Sequence, residues 1–82
     1  MTDFEKMNLD SALREFAHRN FMKPDECRNL DQVRYYANEL CQKIEEYYAQ
    51  FQYVPGWAIV LLSQYKHMQI HLVHKNLRPM YA

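Results

Sequence analysis

Three histidines come closest to a chemical pattern in this 82-residue chain. His67, His71 and His74 are spaced i, i+4, i+7. A helix would set them within about 60° of one another, and neutral imidazoles at that spacing can chelate a transition ion. The set is incomplete, because a structural zinc site takes four ligands and a catalytic one takes three plus water. No Asp or Glu lies within 20 residues of the three, and the two cysteines, Cys27 and Cys41, are remote in sequence. No metal is expected. With Lys66, Lys75 and Arg78 the histidines read instead as a basic stripe that gains charge on acidification.

Catalysis has less to stand on. Asp3/Glu5, Asp25/Glu26 and Glu45/Glu46 are near neighbours in sequence, but adjacent helical residues diverge by about 100° and share no face. Ser11 and Ser63 lack a nucleophile-elbow context. A single Gly cannot build a phosphate-cradling loop. Cys41 flanks an apolar seam and is expected to be buried and inert. The chain therefore reads as a non-enzyme with no cofactor.

The aromatic residues suggest a surface. Tyr35-Tyr36 and Tyr47-Tyr48 lie twelve apart, and Phe51, Tyr53 and Trp57 follow. Two adjacent tyrosines cannot both face one core, and large rigid rings give much contact area for little entropy lost. Tyr35, Tyr36, Tyr47, Tyr48, Phe51, Tyr53 and Trp57 are the candidate partner or dimer interface. The alternative is a small DNA-binding transcriptional regulator that meets phosphates through Lys66, His67, His71, His74, Lys75 and Arg78. It fits less well. A recognition helix presents polar residues near its N-terminus, whereas this segment opens Trp57-Ala58-Ile59-Val60-Leu61-Leu62, and the pI is about 6.9.

These residues need elements to hold them. Only one Gly and three Pro punctuate the chain, at Pro24, Pro55-Gly56 and Pro79, and long segments free of both favour helix. Thr2-Asp3-Phe4-Glu5 has capping-box form. Leu9, Leu13, Phe16 and Ala17 recur at helical spacing, which predicts a helix over about 8–20 with a possible reach back to residue 3. Asn29-Leu30-Asp31-Gln32 is a second capping box, with Pro24 and its two acids as a rival start.

Leu30, Val33, Ala37, Leu40, Ile44, Tyr47 and Phe51 then alternate by three and four residues without a miss, an a/d repeat over three heptads. A helix over 29–52 would be about 36 Å long, longer than the ~30 Å width of a compact monomer of this size. After Pro55-Gly56, the residues Ala58, Leu61, Leu62, Tyr65, Met68, Leu72, Val73 and Leu77 fit one helical face. A β-hairpin across 57–74 competes on composition, but its turn at Ser63–His67 holds no Gly, Asn or Asp. Helix is the better reading.

Charge and composition close the frame. Ten basic and ten acidic residues cancel. Residues 1–46 hold all ten acids against seven bases, and residues 47–82 hold three bases and no acid. The longest apolar run, Trp57 to Leu62, is far short of the ~20 residues of a membrane span, so no membrane association is expected. Asp3 and Glu5 at the start and the absence of paired-cysteine motifs point to a cytoplasmic protein. A domain this small buries little over ~60% of its surface, and such chains often complete a core by association.

The reading is therefore an all-α, three-helix domain over 1–82, with 1–7 and 79–82 as loose termini. A long central helix sits in an antiparallel helical hairpin, and the domain is expected to dimerise. It acts as a small non-enzymatic regulator that binds a partner protein.

Overall fold

The computed structural model describes residues 2–77, and every regular element among them is helical. Helix α1 spans Asp3–Asn20, α2 spans Leu30–Phe51 and α3 spans Gly56–Leu77, with a short 3₁₀ turn at Pro24–Glu26 between α1 and α2. The β-hairpin alternative for 57–74 is overturned, because that stretch is one unbroken helix. Expected features at Arg78 and at Pro79–Ala82 lie outside the described residues.

Local chemistry explains the boundaries. The Thr2 hydroxyl oxygen accepts from the Glu5 backbone N–H at 3.2 Å and starts α1 at Asp3. Residues 3–7, expected to be loose, are therefore helical, since the cap satisfies an otherwise orphaned donor. Asn29 caps α2 by accepting from the Gln32 N–H at 2.9 Å. The Gln32 side chain reaches back to the Arg28 N–H at 2.8 Å, one residue before the cap itself. The rival start at Pro24 appears as the 3₁₀ turn, where proline is tolerated at the first position. Gln52 ends α2 in the left-handed region, φ 51°, a conformation that non-glycine residues adopt at some cost.

The helices run up, down, up. The four-residue connection Gln52–Pro55 folds α3 back antiparallel on α2, and these two pack along their length. Contacts fix the direction of α1. Lys6 and Asp10 meet Tyr53 beside the hairpin turn, while Phe21, just past the end of α1, meets Tyr36. Thus α1 lies antiparallel to α2 and parallel to α3. The radius of gyration is 15.1 Å and the extents are 56 × 21 × 16 Å. A compact monomer of this size would have a radius near 12 Å, so the molecule is elongated, its 56 Å extent exceeding the ~33 Å of α2 alone.

The core is small. Leu13, Cys27, Val33, Leu40, Ala58, Tyr65 and Leu72 form the buried cluster. The seam of α2 behaves as read up to Tyr47, with Val33 and Leu40 fully buried and Leu30, Ala37, Ile44 and Tyr47 packed against the cluster; its last member, Phe51, is instead exposed, because it lies at the end of the helix beyond the core. On α1 the buried pair is Leu13 and Ala17. Phe16, expected to pack inward, sits at the edge with its ring against Phe21 and under the Lys43 ammonium.

Candidate interaction surface

The aromatic residues divide into two groups. Tyr36 packs edge-on to Tyr35, tilts against Phe21 and stacks at 6.4 Å on Tyr65. Tyr65 is fully buried on α3, and its hydroxyl donates to the Met22 carbonyl. Burial pushes the Tyr65 phenol up to about 12, with the nearby Cys27 and Tyr36 adding to the shift. Cys27 lies beside it, its Sγ 3.5 Å from the Lys23 carbonyl oxygen, and its thiol is raised by burial and by Glu26 and Asp25. A raised thiol stays protonated and unreactive.

At the other end, Tyr53 donates a 2.8 Å hydrogen bond to Asp10 Oδ1, and that bond raises its phenol. Lys6 lies over the same ring at 5.5 Å, and the Arg14 guanidinium lies 5.3 Å over Trp57. Trp57 is half-buried, and its Nε1 is buried without a hydrogen-bond partner among the described residues. Tyr47 packs against the core with Phe51 at its edge. Four of the seven candidates, Tyr36, Tyr47, Tyr53 and Trp57, therefore hold the monomer together. Burying their rings gives more than a purely solvent-facing position would. Tyr35, Tyr48 (64% exposed) and Phe51 (37%) remain available. Tyr35 and Tyr48 stand about 140° apart around α2, so the seven do not make one continuous face.

The basic residues are placed as the spacing requires. Lys66, His67, His71, His74 and Lys75 are all exposed on the side of α3 away from the core. They do not converge on one point. His67 and His71 line a groove of about 510 Å³ with Pro24, Asp25, Gln64 and Met68. Lys66 and His74 line a second, of about 490 Å³, with Gln69, Ile70 and Val73.

Sequence reasoning missed the apolar residues outside the core. Ile59, Val60 and Ile70 of α3 are half or more exposed, as are Phe4 (71%) and Met7 of α1. The signal was present, since Ile59, Val60 and Ile70 fall off the face defined by Ala58, Leu61, Tyr65 and Leu72. A helix apolar around most of its girth needs cover on more than one side. No described helix is long and apolar enough to cross a membrane. No protein-family model matches the chain, and no curated protein or solved structure is similar to it.

Proposed function

We propose that this chain is a small non-enzymatic regulator that works by protein–protein contact, binding a partner protein and a second copy of itself in the cytoplasm. One observation carries the reading: among the described residues nine large apolar side chains stay exposed, against eight buried hydrophobic core residues. Exposed apolar surface on that scale marks contact sites. The binding residues are the aromatics that the monomer leaves free, Tyr35, Tyr48 and Phe51, with the apolar edge of α3. Apolar anchors supply affinity, and the separation of acidic α1 and α2 from basic α3 sets orientation and on-rate.

The test is light scattering over a concentration series together with heparin chromatography at low salt. The expected result is a particle of twice 10.0 kDa with no salt-dependent retention. A 10.0 kDa particle at every concentration that also binds heparin steeply with salt would replace this reading by the nucleic-acid one.

A further inference from the structure

We propose that the first half of α1, residues 3–12, is a displaceable strap. It opens while the rest of the domain stays folded, and its opening bares the aromatic end of the hairpin around Phe51 and Tyr53. The device belongs to the fold itself and stands apart from the self-association proposed above.

The two halves of α1 are held differently. In the second half Leu13 and Ala17 are buried. Phe21 and Met22, just beyond it, pack on the core, and the Met22 carbonyl accepts from the buried Tyr65 hydroxyl. In the first half no residue from Thr2 to Ala12 is buried, and only Lys6, Leu9 and Asp10 are partly covered. Phe4 and Met7 are exposed. The polar ties of this half to the hairpin, among the described residues, all fall on Tyr53: its hydroxyl donates to Asp10 at 2.8 Å, and the Lys6 ammonium lies over its ring. Its apolar seat is incomplete. Leu9 is the one partly covered apolar side chain, and a groove of about 230 Å³, lined by Glu5, Asn8, Leu9 and Phe51, runs between the strap and the end of α2.

Intrinsic helicity does not make up the difference. Asn8, Asp10 and Ser11 are weak helix formers in a helix interior, and a stretch of about ten helical residues is marginal in water on its own. The Thr2 cap and the acids of the first turn favour the helix but do not fasten it to the hairpin. A segment with so few buried apolar contacts opens well below the global unfolding threshold. The opening stops at Leu13, the first buried residue, and leaves α2 and α3 packed along their length. Tyr53 then loses both its partners, and Phe51 loses the strap beside it. Closed, the strap withholds these ring faces; anything that binds them must displace it, so it acts as an autoinhibitory cover.

The experiment is amide hydrogen exchange of the full chain, resolved by residue with NMR. Protection at Met7–Ala12 should lie about a hundredfold below that at the centre of α2. In dilute urea it should scarcely change, because the opening exposes little surface, while protection in α2 falls steeply. Val33 is fully buried and lies 18 residues from Phe51 along α2, about 27 Å. Val33→Ala therefore weakens the closed and the opened forms alike. It should lower protection in α2 about tenfold and leave the strap as it was. Tyr53→Phe acts on the closed form and should lower strap protection about fivefold; Lys6→Ala should lower it about twofold. A strap that follows Val33→Ala in the same ratio as α2, or tracks urea as α2 does, opens only with the whole domain, and the inference fails. Strap protection unmoved by Tyr53→Phe would overturn it as well. If Val33→Ala does not fold, the urea series on the wild-type chain decides.

Discussion

Tyr65 is the residue on which the tertiary structure can be tested most sharply. It is fully buried on α3, stacks on Tyr36 of α2, and donates its hydroxyl hydrogen to the Met22 carbonyl in the connection after α1. One side chain thus ties all three helical segments. Tyr65→Phe keeps the ring and removes only the donor. The Met22 carbonyl then loses its partner, at a cost of about 1–2 kcal/mol, which in a domain of this size lowers Tm by roughly 5–10 °C. Tyr65→Ala also empties the ring's volume and should cost ~3–5 kcal/mol. Urea denaturation followed at 222 nm, at fixed chain concentration, measures both.

A pH arm isolates the hydroxyl. The phenol is held at about 12 in the fold against about 10 in the unfolded chain. Below pH 10 both states keep the proton and the stabilisation is complete. Between pH 10 and 12 the unfolded chain ionises first, so stability falls as pH rises, by on the order of 2 kcal/mol across the interval. The Phe variant lacks this component, and the gap between the two proteins should narrow over that range. Equal stabilities at pH 8 would refute the buried hydrogen bond, and a gap that widens toward pH 12 would refute the burial of the phenol.

Other changes follow from the same geometry. Gln52→Gly should stabilise the protein by about 1 kcal/mol, because Gln52 sits at φ 51°; a lower Tm would mean that the turn needs the side chain. Asn29→Ala removes the cap of α2 and should cost about 1 kcal/mol, read in the same urea titration. Leu40→Ala, at a fully buried seam position, should cost about 2–5 kcal/mol, whereas Ala substitution of exposed Tyr35 should stay within about 0.5 kcal/mol. Tyr53→Phe removes the bond to Asp10, and in a spectrophotometric titration one of the two phenols that ionise above their ordinary range should disappear, leaving that of Tyr65.

Much of the fold was legible in the chain by itself, because helices are governed by neighbours three and four residues away. The unbroken spacing from Leu30 to Phe51 specified α2 and its inward face. The Asn29 capping box marked the start of α2 and Pro55-Gly56 the hairpin turn, while the Thr2 box signalled a reach back for α1 whose first turn was otherwise read as loose. The length of α2 already implied an elongated molecule. Contacts between distant segments are what local spacing does not encode, and those decided the rest. Tyr36, Tyr47, Tyr53 and Trp57 were all candidates for a partner surface in the sequence, although Tyr47 also fell in the inward seam of α2. They are held because α1 lies across the hairpin turn, where Asp10, Lys6 and Arg14 reach Tyr53 and Trp57, and because Phe21 and Tyr65 close on Tyr36. The same placement of α1 leaves Ile59 and Ile70 uncovered on the opposite side. Periodicity determined which residues each helix turns inward; only the packing of three helices, too few to surround α3, determined which apolar residues stay outside.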